Sequence, residues 1–245
     1  MKRLIGILAL ALSVNLAFCQ NNTNTMNRNS KEELHRYLYS EKELNKLSAY
    51  IEQQYGEYGE VFHELVSPDI HLDIVLIPPT DEQPYYKLVT MGAGAYKMSM
   101  PRQLRKYKLE RAEYVIFLPK DWNVKSDKEE DYWPIRMLKD VARLPIYTDS
   151  WLTVGHTVTI NEDSSPVAPN TMLNSCVLLN SFGNKMQIVE AMKLGVWGDE
   201  VNFWQVLPLY QEELEYNFSH SIDELLELLD DVPMVVDINR KNKCK

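Results

Sequence analysis

The 245-residue sequence predicts an α+β fold: a mixed, largely antiparallel sheet with helices packed on its faces. Three observations predict it. Apolar runs of strand length and β-branched composition recur, at Ile70–Ile77, Ala112–Leu118, Thr171–Leu179 and Val201–Leu207. Stretches with apolar residues at helical spacing precede, divide and follow these runs. Between Asp69 and Gly94 the order is strand, rigid turn, strand. Pro78-Pro79 stops the first run, because neither ring nitrogen can donate to a ladder. Thr80-Asp81-Glu82-Gln83 is a polar turn, and Tyr85–Met91 resumes β-type composition until Gly92 and Gly94.

The chain opens on an export signal at residues 1–19. Lys2-Arg3 is its basic start, Leu4–Leu12 its short apolar run and Ala17-Phe18-Cys19 its cleavage region. Two ways of processing fit. Cleavage after Cys19 places small residues at both tested positions and leaves Gln20 first. Alternatively Leu16-Ala17-Phe18-Cys19 resembles a lipoprotein box, with Cys19 lipidated, although Phe18 stands where a small residue is usual. Both place the protein in the periplasm or cell envelope, and only a lipid at Cys19 would hold it to a membrane. Residues 20–30 are Asn/Thr-rich and read as a polar tether.

The fold is expected over residues 31–240. Ser30-Lys31-Glu32-Glu33 has the capping-box pattern, so a helix is expected from Ser30 to Tyr55, stopped by Gly56. Val61–Val66 is a short strand leading through Ser67-Pro68 into Ile70–Ile77. Ala93–Lys108 is a basic connector whose Arg102, Arg105, Lys106 and Lys108 stand out on an acidic chain; a solvated face is the plainer reading. Asp131–Arg143 is helical and ends at Pro145. Val154–Ile160 alternates as a strand. Val201–Leu207 is a strand that Pro208 breaks. Helices follow at Leu209–Tyr216, with Glu212, Glu213 and Glu215 exposed, and at Ser219–Asp230. Val232–Ile238 is an edge strand, and residues 241–245 form a basic tail.

The formal net charge is −9, and removal of residues 1–19 takes away Lys2 and Arg3 and no acid, giving −11. That balance argues against nucleic acid and permits a basic protein partner. No phosphate loop, nucleophile elbow, HExxH or CxxC occurs. His71 and Asp73 lie two apart on a strand, on one face, yet lack a third ligand in sequence, so no metal or cofactor is expected. Adjacent helical acids such as Glu212 and Glu213 cannot face one another across a substrate. Cys176 reads as buried and inert, and its pairing with Cys244 stays open. The better lead is aromatic: Tyr85, Tyr86, Trp151, Trp197 and Trp204 lie near turns or strand ends, where Tyr and Trp serve either binding or packing.

Two blocks resemble the suppressor-of-fused domain family. The first is His71-Leu72-Asp73, Ile77-Pro78-Pro79-Thr80 and Tyr85–Gly92. The second is Phe203–Tyr210 followed by Glu212-Glu213-Leu214. The resemblance implies a single domain and a non-enzymatic protein-binding module. Animal members sequester transcription factors, and bacterial members often look like immunity proteins paired with toxins. It assigns Glu213 a structural signature role. On this reading Tyr85, Tyr86, Glu212 and Glu213 are the partner-binding candidates, and the partner is a protein, in its most specific form a basic toxin. An envelope enzyme with a site assembled from distant residues, or a surface ligand-binding protein, are the alternatives.

Overall fold

The computed structural model describes residues 37–195 and 198–245. The export signal, the tether, Cys19, the Ser30 capping box and Trp197 therefore lie outside the described residues. Helices α1 (Glu41–Tyr55), α2 (Glu129–Thr148), α3 (Gln211–Ser219) and α4 (Ile222–Leu228) accompany eight strands. These are β1 (Glu60–Phe62), β2 (Asp73–Ile77), β3 (Tyr85–Met91), β4 (Ala112–Pro119), β5 (Thr157–Thr159), β6 (Leu173–Asn180), β7 (Met192–Lys193) and β8 (Glu200–Tyr210). They form one open sheet in the order β1-β2-β3-β4-β8-β6-β5, with β7 beside β8. Every pairing is antiparallel except β4 with β8.

Both faces of the central strands are covered, which is why these strands read as unbroken apolar runs. Alternate residues serve opposite layers. Ile74, Leu76, Leu88, Tyr114, Ile116 and Leu118 pack with Trp133, Met137, Leu138 and Val141 of α2. Val75, Ile77, Val89, Val115, Phe117 and Phe203 pack with Leu47, Ile51 and Tyr55 of α1. A third cluster joins Ile222, Leu225 and Leu229 to Val177, Leu207 and Leu209.

Several boundaries differ from expectation. The first helix starts at Glu41, because Tyr37 is extended and bridges Ile70, its N–H donating to Asp69 O at 2.8 Å. The cap is Ser40-Glu41-Lys42-Glu43, the same motif ten residues on: Ser40 accepts from Glu43 N while Glu43 accepts from Ser40 N. Pro134 and Pro145 lie inside α2. Pro134 withholds an N–H from Glu130, and Asn170 Nδ2 donates to that carbonyl instead at 3.1 Å. Pro145 stands in the last turn, where its own carbonyl caps the end by accepting from Asp149 and Ser150. Val154–Ile160 contributes only the short β5, and Val232–Ile238 only a bridge from Val235 to Phe117.

Pro208 does not break β8, which runs on to Tyr210 with Pro208 opposite Cys176. Strand β4 pairs with β8 only as far as Gln205. A strand residue's N and C=O point to the same side, and the Pro208 carbonyl faces Arg240 Nη2 at 3.0 Å, away from β6. The missing N–H therefore falls where no ladder partner stands.

The Pro-Pro turn is as expected. Thr80 N donates to Gln83 O at 3.0 Å and Gln83 N to Thr80 Oγ1 at 3.1 Å. Replacing Pro78 and Pro79 by alanine is expected to cost roughly 1 kcal/mol per proline, by enlarging the freedom of the unfolded chain. An unchanged urea midpoint would show that the prolines are not the stiffening element.

The sheet has two unlike ends. At one, the chain joins at Tyr37, and the β1–β2 and β3–β4 connections gather with the last turn of α2. At the other, β8 delivers the chain into α3, α4 and the C-terminal residues.

Candidate functional site

The α3 end is built around the second motif block. Glu213, in the first turn of α3, is fully buried, which corrects its expected exposure. Its carboxylate accepts from Arg240 Nη1 at 2.6 Å and from Arg240 Nη2. It also accepts from Tyr210 N and Lys243 N, each at 3.0 Å. Arg240 lies 4.7 Å above the Tyr210 ring, and Tyr210 Oη donates to Arg240 O at 2.6 Å. A guanidinium fork on a carboxylate that also takes two backbone N–H groups leaves no lone pair unmet. The Pro208-Leu209-Tyr210 run and Glu213 are thus a latch that fastens the C-terminal residues to the sheet.

Beside the latch opens a cleft of about 280 Å³. Tyr210, Gln211, Glu212, Asn242 and Lys245 form one wall and Ser164, Pro166, Met172 and Asn174 the other. Asn174 Nδ2 donates to Gln211 Oε1 and Ser164 O, while its Oδ1 is buried without a partner. Glu212 is half-buried on the rim, accepting from Asn242 Nδ2 and Lys245 Nζ, both at 2.6 Å. The Lys245 ammonium holds its carboxyl below the usual range. The tail is therefore not loose basic charge: Lys243 and Lys245 are spent on Asp231 and Glu212.

The other sequence candidates do not join this cleft. Tyr85 and Tyr86 begin β3 and point to opposite faces. Tyr85 packs 5.1 Å from the Phe117 ring, its hydroxyl against Met186 Sδ, and Tyr86 packs on the α2 side. Trp204 is buried and Trp151 half-buried. His71 and Asp73 do meet, with His71 Nε2 3.2 Å from Asp73 Oδ1, and His63 Nδ1 approaches Oδ2 at 3.0 Å. The two imidazoles address different oxygens, and among the described residues no group of three His, Cys, Asp or Glu is placed to share a metal ion. Cys176 and Cys244 are both free thiols, and burial pushes the Cys176 thiol up to about 12.

Lys87 and Glu113 are among the buried charges that escaped the sequence reading. Lys87 is 1% exposed; its Nζ donates to Tyr55 O at 2.7 Å, capping the end of α1, and to Asn184 Oδ1 at 2.8 Å. Burial lowers its pKa to about 8. Glu113 is fully buried in β4. It accepts from Gly92 N, Ala93 N and Gly94 N at 3.0–3.2 Å, from Thr90 Oγ1 at 2.6 Å and from Tyr39 Oη at 3.0 Å. Gly92 is obligatory for this turn: its φ is 137°, and a Cβ would sit 1.9 Å from His71 O. A charged residue inside an apolar run was the available signal for both sites.

Against known proteins, the family model of suppressor of fused protein (SUFU) matches residues 68–241. An uncharacterised protein of Ureaplasma parvum serovar 3 is 27% identical over 227 residues, covering 85% of this chain and 99% of its own. The crystal structure of a SUFU homologue from Neisseria gonorrhoeae FA 1090 superposes with a TM-score of 0.56 at 19% identity, covering 84% of this chain and 96% of that one. A Sufu–Fu complex structure gives 0.55 at 14% identity over 81% of this chain and 88% of that one. Drosophila Suppressor of Fused gives 0.54 at 14% identity over 81% of this chain and 49% of that one. Matched by the family model over most of its length, the chain belongs to the suppressor of fused protein family.

Proposed function

We propose that this protein is a non-enzymatic binding module that occludes a basic protein partner, in its most specific form an immunity protein neutralising a toxin at the cell envelope. The observation that carries the proposal is the charge at the α3 end. Glu215, Asp223, Glu224, Glu227 and Asp230 are exposed and make no ion pair among the described residues, beside a cleft rimmed by Glu212. Such a field steers a basic partner and suppresses acidic ones. The Sufu–Fu complex is itself an assembly of two proteins, which supports a protein as the partner. Glu212 is assigned to the contact, whereas Tyr85 and Tyr86 pack on opposite faces of the sheet, away from the cleft, and are not. Glu213 is reserved for the latch.

The test is association with the product of a neighbouring gene, followed as salt rises. Screening shortens the Debye length from about 10 Å at 0.1 M to about 3 Å at 1 M. The on-rate is expected to fall by at least about tenfold across that range. Reversing Glu227 and Asp230, which are exposed and bond to no neighbour through their side chains, to lysine should slow binding while leaving the melting midpoint unchanged. An on-rate indifferent to salt would remove the electrostatic part of the proposal.

A further inference from the structure

The Tyr37 end has the opposite character to the α3 end. Leu65 and Val66, at the tip of the β1–β2 connection, are 96% and 78% exposed, and Tyr147 on the last turn of α2 is 67% exposed. This tip is held rigidly. Glu64 on one side accepts from Arg143 Nη2 at 2.6 Å and from Leu72 N at 3.1 Å, and Asp69 on the other accepts from Arg143 Nε at 3.1 Å. A stiff loop that presents two aliphatic side chains to water leaves them no internal role.

The basic connector lies at the same end. Residues 97–111 carry six basic residues and one acid, Glu110, on a chain of net charge −9. The Tyr37 ring meets Tyr96 edge-on at 4.9 Å, and Ser99 Oγ donates to Asp149 at the end of α2, so apolar tip and basic loop adjoin. Most other acids here are occupied, Glu64 and Asp69 by Arg143, Asp73 by His63 and His71, Asp199 by Lys97 and Arg111, and Glu200 by Lys108, whereas exposed Asp149 takes only the Ser99 hydroxyl. Among the described residues Arg102, Arg105 and Lys106 make no ion pair, and Lys106 lies over the exposed Tyr107 ring at 4.8 Å. The loop is braced by Met98 N to Glu110 O at 2.8 Å and Asn202 Nδ2 to Lys108 O at 3.0 Å.

We infer that this end is a lipid-facing surface that lies on an anionic bilayer, with Leu65, Val66 and Tyr147 entering the interface and Arg102, Arg105 and Lys106 meeting headgroup phosphates. Apolar tips, tyrosines and unpaired basic residues together are the chemistry of an interfacial contact. The occupant is indicated by where the chain leads. The residues before Tyr37 join the domain here, and in the lipoprotein reading of the export signal they begin at a lipidated Cys19, which ties this end of the domain to the bilayer. The same orientation turns the acidic α3 end away from the bilayer, toward an approaching partner. The inference draws on the export reading for its setting and is independent of partner binding at the opposite end.

The test uses the chain from Gln20 onward with Cys244 changed to serine and a bimane probe on Val66→Cys, or on Glu227→Cys at the opposite end. The protein is bound to vesicles of phosphatidylcholine and phosphatidylglycerol with brominated acyl chains. Quenching is expected at residue 66 and absent at residue 227. Each basic residue near the surface is worth about fivefold in binding. The variant R102Q/K106Q, which removes two of these charges, should therefore weaken the contact on the order of 25-fold, at an unchanged melting midpoint. An unquenched probe at residue 66 on vesicle-bound protein, or equal quenching at both positions, overturns the inference. So does a probe at residue 66 that changes with protein concentration without vesicles, which would assign the patch to a second copy of the chain.

Discussion

Replacing Arg240 by alanine is expected to destabilise the protein by about 3–5 kcal/mol, the cost of stranding a buried carboxylate. Glu213 is 0% exposed, and the guanidinium supplies two of its four donors. The same substitution removes the donor to Pro208 O and the cation over Tyr210. It therefore frees the C-terminal residues from β8 and loosens the start of α3 together. Glu213→Ala should cost a similar amount, because the guanidinium is left without its counter-charge in a site where its side chain is 7% exposed. Removing both charges as Glu213→Leu with Arg240→Met should cost less than either single change, since no charge is then left buried and unpaired. Urea midpoints of the four proteins decide it. A loss under about 1 kcal/mol for Arg240→Ala would mean that the latch is peripheral to stability.

What the sequence disclosed and what it withheld follow one physical division. Strand runs and the Pro-Pro turn are local: β-branched composition and missing N–H groups act on the residues that carry them, so β2, β3, β4, β6 and most of β8 were legible. Signals that depend on a distant partner were misread. Pro208 looks like a breaker until Arg240 is seen to occupy the side where a ladder bond would be. The first helix looks continuous from Ser30 until Tyr37 is paired with Ile70. By spacing Glu213 looks like one of three exposed helical acids, and only the family resemblance, which gives it a structural role, sets it apart from Glu212 and Glu215. The site behaved likewise. The acidic α3 end was visible as composition, whereas the cleft is drawn from segments around residues 164–174, 210–212 and 242–245, whose meeting is a property of the fold.

Glu113 is expected to make stability depend on pH between about 4.5 and 7. Burial pushes its carboxyl from 4.5 up to about 7, against the pull of Thr90, Gly94, Gly92 and Tyr39 toward the charged form. The folded protein thus holds this proton more tightly than the unfolded chain does. The stabilisation from protonation is complete below about 4.5 and is lost as pH rises through about 7. Two and a half pH units correspond to about 3 kcal/mol at 1.36 kcal/mol each. The geometry says where the proton would go. Thr90 Oγ1 already accepts from Tyr114 N at 2.8 Å, so its hydrogen is committed to Glu113. Tyr39 Oη is the hydroxyl left to turn and accept from the neutral acid. Glu113→Gln fixes an uncharged side chain in the site and turns an NH₂ toward backbone donors. It should lower stability by roughly 1–3 kcal/mol for each donor left unmet, and flatten the slope between pH 4.5 and 7. Urea unfolding across that range, with the carboxyl carbon of Glu113 followed by NMR, measures both. A midpoint of titration near 4.5, or a variant whose slope matches the parent, would show that the five donors hold the group charged throughout and that the pH dependence arises elsewhere.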